Sequence, residues 1–537
     1  MQGGTADGAY AGLPGVVMRV VWRAALCMVL GGLAAPAVAA TYYVDAVQGS
    51  DRADGLSAAK AWQTLERVNA AKFGPGDQVL LRAGETFAGK LTPHGSGTKE
   101  APILLSAYGE GAKPVVAGGG ADEALMLDDV SFWTVRGITV TNHGKVAAVR
   151  NGIEVHVAYA GLVQGIHLER VDVMDVNGDV HSKSSGGVGI LGWGKNGVAP
   201  RFDDIAIVGC TVAHVDGQGL WVHMKGKGDS AAGSTNESTN DSPTESGDDS
   251  GQSGEYGITR LRIAESRFED TGRNAIFLRD SVGAVIEDNT VLYASARTHG
   301  NAVVVAWAKG TIVRGNEVGY TGKGQGEGEN GGFDADDGAV GTVFERNWTH
   351  DNAGGSVNVV VDPGKHVPND GTVIRYNLSE SDGARVFGVG GPATNVVIAN
   401  NTVIVLRGAS TRVLALGRFT AKKPGDPTGV AFVNNLVDAE GKASYVLEAA
   451  RVSVVANCFF GKHAMDGVKD PEKSTDDPGF SLPPAPATSW KDLERFRPAK
   501  GSTCAGPGRP LGRGPALDLL GTAIPAGAPG RGALVGR

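Results

Sequence analysis

One motif recurs down most of the chain: a short Val/Ile-rich strand, a polar residue or two, an Asn, then a second short strand. It stands out in Val285-Ile-Glu-Asp-Asn-Thr-Val291, Ile312-Val-Arg-Gly-Asn-Glu-Val318, Val343-Phe-Glu-Arg-Asn-Trp348, Val373-Ile-Arg-Tyr-Asn-Leu378, Val397-Ile-Ala-Asn-Asn-Thr-Val403, Val433-Asn-Asn-Leu436 and Val454-Val-Ala-Asn-Cys458. Aligned, these segments put Asn289, Asn316, Asn347, Asn377, Asn401, Asn435 and Asn457 in one column, about 22 to 34 residues apart. A near-regular period of this length marks a solenoid, in which each repeat is one turn stacked on the last. Asn suits a sharp turn between strands because it tolerates left-handed backbone angles. Its amide can also bond to the coils above and below, at the strand spacing of about 4.8 Å. A doubly wound α/β sheet would need helical stretches between the strands, and none of adequate length is present. The predicted fold class is all-β, a right-handed parallel β-helix. The 82 Gly and 6% aromatic content fit a chain of short strands and tight turns.

Around this body the sequence predicts four further parts. Residues 1–40 read as a leader and signal peptide: Met18-Arg19 to Arg23 are basic, Ala24 to Leu33 apolar, and Ala37-Val38-Ala39 is a small-residue cleavage site. Secretion or a periplasmic location follows, and no later segment is long and apolar enough to span a bilayer. The β-helix is expected over 41–469, opened by a short capping helix in Ala61-Trp62-Gln-Thr-Leu65-Glu-Arg-Val68-Asn-Ala. A polar, low-complexity insert at about 226–254 is expected to be disordered. Residues 470–537 are rich in Pro, Gly and Arg and predict an irregular tail packed on the last coils. Of the mature cysteines, Cys210, Cys458 and Cys504 are too few for a disulfide framework and read as small buried residues. The formal charge of −8, with no basic stripe, excludes nucleic acid as the natural partner. A monomer is expected.

Strand alternation locates the chemistry. If Leu220 and Val222 face inward, Trp221 and His223 face out. Ile276 and Leu278 likewise put Phe277 and Arg279 outside. Phe333 and Ala335 leave Asp334 and Asp336 outside, Asn358 follows between Val357 and Val359, and Phe387 comes one coil later. Aromatics, a His, an Arg and two carboxylates on one face suit a sugar-binding groove, with Trp193 as a further stacking surface. Asp334 and Asp336, two residues apart on a strand, lie about 6–7 Å apart. With Asp337 they could hold Ca²⁺; as a pair they could be the acid and base of an inverting hydrolase. His350, after the Asn347 turn, is placed to reach the groove rim, unless it is simply a hydrogen-bonded turn residue.

The opening Tyr42-Tyr-Val-Asp-Ala-Val-Gln-Gly-Ser-Asp-Arg-Ala-Asp-Gly55, then Gly74-Pro-Gly-Asp77, Ala101-Pro-Ile-Leu-Leu-Ser-Ala-Tyr-Gly109, and Asp518-Leu-Leu-Gly521 with Gly532-Ala533 near the end, resemble secreted bacterial proteins of the pectate-lyase-like superfamily. That resemblance implies a polysaccharide lyase cleaving a uronate-containing, acidic polysaccharide by β-elimination. Like the family-nine pectate lyases, such an enzyme would use Ca²⁺ on an acidic cluster (Asp334, Asp336, Asp337) and a basic residue as proton acceptor. Lys365 and Arg279 are the nearest candidates. A glycoside hydrolase on the same groove, a C5-epimerase, and a non-catalytic glycan-binding surface protein are the competing readings.

Overall fold

The computed structural model of the protein describes residues 39–195, 198–225, 257–322, 329–362, 367–417, 425–480 and 486–536, except 513, 526 and 528. The expected signal segment, apart from its last two residues, and the expected polar insert lie outside the described residues.

Each strand lies parallel to the strand one coil before it and one coil after it. Ile312–Arg314 runs between Val285–Glu287 and Val343–Glu345. Glu317–Gly319 runs between Thr290–Leu292 and Trp348–His350. Gly331–Ala335 runs between Val303–Val305 and Gly355–Val360. One turn of chain therefore supplies three strands, and stacking builds three walls around one apolar core. The fold is the predicted parallel β-helix. Val313, Val318, Phe333 and Phe344 point into the core and are fully buried. Each such side chain gains about 1.5–3 kcal/mol from burial, so every coil adds its own increment of stability. The expected capping helix is present at Leu65–Asn69, where the Thr64 hydroxyl accepts the Arg67 N–H at 3.3 Å. Leu65 and Val68 join the core of the first coils.

The Asn column lies at the turn from the first wall to the second and forms a continuous buried ladder. Asn289 donates through Nδ2 to Asn316 Oδ1 at 2.9 Å, and the contact repeats from Asn316 to Asn347, Asn347 to Asn377, Asn377 to Asn401, and Asn401 to Asn435 at 3.0 Å. Asn435 to Asn457 closes the series at 3.1 Å, and Asn457 ends on Asp470. The second amide proton goes to a main-chain carbonyl, as in Asn377 to Phe344, while from Asn316 onward each Oδ1 also takes the backbone N–H of the Asn before it, and Asn289 Oδ1 takes that of Ser266. One part of the sequence reading is corrected here. The left-handed residue is the one before each ladder Asn: Asp288, Gly315, Arg346, Tyr376, Asn400, Asn434 and Ala456. Asn is required for its four hydrogen bonds, not for its backbone angles.

The three outer faces differ. The first wall carries charge pairs in which buried Glu287 meets partly exposed Arg262 and Arg314, and buried Glu345 meets Arg375. The second wall is covered by the C-terminal tail: Ala487, Leu493, Phe496, Leu519 and Leu534 pack on Trp348, Leu378 and Ile404. Glu380 accepts the Ala487 N–H at 3.1 Å and lies 3.5 Å from Arg495. A disulfide between Cys458 and Cys504 ties the tail to the last coil, which corrects the expectation for those two cysteines; Cys210 is free and buried. The third wall remains for a site.

Replacing Asn377 by Ala strands the donors of Asn347 and the Phe344 carbonyl inside the ladder. With an unsatisfied buried polar group costing about 1–3 kcal/mol, chemical unfolding of Asn377→Ala should show a loss of about 2–4 kcal/mol. A loss below about 1 kcal/mol would mean that the ladder follows from the stacking without contributing to it.

Candidate active site

Register on the third wall fixes which outward side chains are neighbours. One outward column runs Glu154, Gly189, Trp221, Phe277, Val304, Asp334, Asn358 and Gly388. The strand-long alternation predicted for this wall holds, with Phe333 and Ala335 in the core on either side of Asp334. These strands are the third of each coil and do not directly follow the Asn turn.

Asp334 is on the outer face of the sheet yet only 7% exposed. Its Oδ2 accepts a hydrogen bond from Asn301 Nδ2 at 2.8 Å, while its Oδ1 is buried without a hydrogen-bond partner among the described residues. Burial pushes its pKa well above the ordinary carboxylate value, and the negative charges of Asp336 and Glu329 push the same way, with Arg385 opposing. The polar layer around it is made room for by glycine. A Cβ on Gly388 would stand 2.6 Å from Asn358 Oδ1 and 3.0 Å from Arg385 Nε, where Arg385 reaches along the sheet to donate to Asn358 at 2.9 Å. Asp336, half-buried at the end of the strand, accepts the Asp337 N–H. The arrangement is a carboxyl whose pKa is raised by burial, near a second carboxyl, the kind of pairing in which one group can deliver a proton while the other carries charge.

Other expected site residues are placed differently. Trp221 is 3% exposed and lies over Gly189, its indole N–H donating to Asn151 Oδ1 at 3.3 Å, so it offers no open face to a sugar. Asn358 is buried and engaged by Arg385. Asp337 is 2% exposed, and its Oδ1 accepts the Asp362 N–H at 2.7 Å, a link to the next coil. His350 is on the second wall beside Trp348. Burial alone would lower its pKa, but the hydrogen bond with Asp351 at 3.1 Å and the Glu317 carboxylate 3.6 Å away carry it up to about 9. Phe387 is a core residue. Phe277, His223 and Arg279 are half-buried on the third wall, His223 3.8 Å from Asp280 and Arg279 4.1 Å above the Trp307 ring. Lys365 lies outside the described residues. Among the described residues no group of three or more His, Cys, Asp or Glu is placed to hold a metal ion.

Sequence reasoning missed Asn301, Arg385, Trp307 and Glu154. Asn301 had a findable signal, since Asn274 and Asn301 are separated by 27 residues like two members of the main column, and Asn274 Oδ1 accepts the Asn301 N–H at 2.7 Å. Glu154 lies five strands upstream of Asp334. Burial, reinforced by the charge of Glu123, raises its pKa to about 7, and Asn151 donates to it at 3.0 Å.

No protein-family model matches the chain. A curated lacto-N-biosidase of Bifidobacterium longum subsp. longum is 26% identical over 455 residues, in an alignment that takes in 68% of this chain and 27% of that protein. The chain thus spans little more than a quarter of that relative's length. The crystal structure of the GH136 lacto-N-biosidase from Eubacterium ramulus is similar with a TM-score of 0.58 at 22% identity, covering 77% of this chain and 68% of that one. Its native form gives 0.57 at 21%. The structural likeness is one of fold. The curated relative is a glycosidase, and this overturns the polysaccharide-lyase expectation drawn from the superfamily.

A neutral buried acid costs stability only where pH would ionise it. Because the folded-state pKa of Asp334 is raised, stability should be lost as pH climbs from the ordinary carboxylate value through the raised one. Asp334→Asn removes that loss. In urea titrations the variant should match or exceed the wild type at pH 8 and lose this advantage at pH 4.5. A variant less stable than the wild type at both pH values would contradict a neutral Asp334.

Proposed function

We propose that the protein is an exported glycoside hydrolase that cleaves a neutral glycan on its third wall, acting as a monomer. Asp334 is the proton donor to the glycosidic oxygen, and Asp336 is the second carboxylate, facing the positive charge that develops on the sugar ring. The observation that carries the reading is Asp334 itself: a carboxyl on the outer side of a sheet, buried, with one oxygen bonded and the other unpartnered among the described residues. A general acid must hold its proton near neutral pH, and burial beside like charge is the arrangement that achieves this.

Two considerations favour a glycosidase over other uses of a β-helix. The sequence relative is a lacto-N-biosidase, which supports a lacto-N-biose-containing oligosaccharide as the first substrate to try. The groups around Asp334 also suit a neutral glycan. Asp336 and Glu329 bring negative charge close to it, while Arg385 is held by Asn358 and Arg279 lies over Trp307. Neutral hydroxyls would find acceptors there.

Incubation with 4-nitrophenyl lacto-N-bioside and with unmodified oligosaccharides should release product in the wild type. Asp334→Asn and Asp336→Asn should each lower kcat/KM by about 10²–10⁴-fold. The anomer first formed, read by NMR, tells whether Asp336 works on water or on the sugar. Undiminished cleavage by Asp334→Asn would remove Asp334 from the chemistry. Retained glycan binding with no turnover by the wild type would make this a binding protein.

A further inference from the structure

We propose that Asn301 is a positioning residue that confines the acidic proton of Asp334 to Oδ1, and so decides which carboxyl oxygen delivers it. This rests on the reading of Asp334 as a proton donor, but the placement of the proton can be tested without turnover.

The orientation of the Asn301 side chain is fixed by its surroundings. The backbone N–H of Gly331 donates to Asn301 Oδ1 at 2.8 Å. A main-chain N–H can only donate, so the atom facing it must be the amide oxygen, and the NH₂ group must face Asp334. The 2.8 Å contact to Asp334 Oδ2 is therefore a donation from Asn301. Oδ2 cannot carry a proton along that line, because two hydrogens would then oppose each other. A neutral Asp334 keeps its proton on Oδ1, the oxygen without a hydrogen-bond partner among the described residues.

The Asn301 backbone is itself held. Its N–H donates to Asn274 Oδ1 at 2.7 Å, making a short ladder of Asn274, Asn301 and Gly331 at the entrance to the third wall. Asn301 is 2% exposed and Asp334 7%, so water does not compete freely for either group. Gly331 is part of the device: a Cβ there would stand 3.1 Å from Asn301 Oδ1 and 2.9 Å from Asn358 Nδ2. A larger residue would push apart the two amides that flank Asp334. A ladder built like the structural one thus ends on a carboxyl and leaves one of its oxygens to the substrate.

Asn301→Asp and Asn301→Ala separate this role from a structural one. Asp keeps an acceptor for the Gly331 N–H but puts a carboxyl where the donor was; Ala removes both. The readout is infrared difference spectroscopy on protein with ¹³C-labelled aspartate, taking the band lost in Asp334→Asn as the Asp334 carboxyl. In the wild type that C=O band should sit at the lower frequency of a carbonyl accepting a hydrogen bond. In Asn301→Ala it should move up, and its disappearance with rising pH should shift to higher pH, because the bond lost favoured the ionised form. The alkaline limb of kcat/KM should move the same way, with kcat down about 10-fold or more. Asn301→Asp should raise the titration of Asp334 further while retaining the fold, seen as an unchanged far-ultraviolet dichroism spectrum. An Asp334 band unchanged in frequency and titration in both variants overturns the proposal, whatever the substrate proves to be. If the band shifts as expected and no glycan is cleaved, the proton placement stands and the hydrolase reading fails.

Discussion

Everything on the third wall depends on the buried amide ladder at the first turn. In a solenoid the side-chain period of two means that a slip of one residue between coils would turn every inward residue outward. Seven asparagines, each bonded to the next and to the backbone of adjoining coils, hold that register from Asn289 to Asn457, and Asp470 closes the end. Because coils are locked there, Val304, Asp334 and Asn358 stay neighbours half a turn away, although 30 and 24 residues of chain separate successive members.

The same hydrogen-bonding device is used for opposite ends at two places. In the main ladder every donor and acceptor is matched, which is what a buried polar network needs to be stabilising. In the shorter ladder the final partner is a carboxyl with one oxygen unmatched among the described residues. Leaving a polar atom unsatisfied costs free energy, and titratable groups whose environment holds them in the less common state concentrate at functional sites. Asp382 makes a useful contrast. It too is buried with a raised pKa, but Thr349, Ser379 and Asn352 satisfy it inside the coil. Burial is common to both; what sets Asp334 apart is its place on an outer face with one oxygen unmatched among the described residues.

The repeat in the sequence made the fold legible, because stacking physics needs the same residue types at the same place in each turn. Alternation then put Asp334 and Phe277 on the outer face. What it could not convey was how outward side chains lie once there. Trp221 falls over Gly189, Asn358 is taken by Arg385, and Asp337 turns to the next coil; each depends on a glycine or a turn in an adjacent coil. His350 was assigned to the wrong wall because the chain crosses three walls per turn and their strands alternate alike. The Cys458–Cys504 pair was missed because the tail has no repeat from which its path over the coils could be deduced. The reaction was least legible of all, since a β-helix is a scaffold that many chemistries share.

The most direct measurement is a crystal structure of Asp334→Asn soaked with a lacto-N-biose-containing oligosaccharide. The account predicts sugar along the third wall, with a glycosidic oxygen within about 3 Å of the side chain at position 334. Sugar seated on the first wall or against the tail, with position 334 out of reach of any glycosidic oxygen, would contradict it.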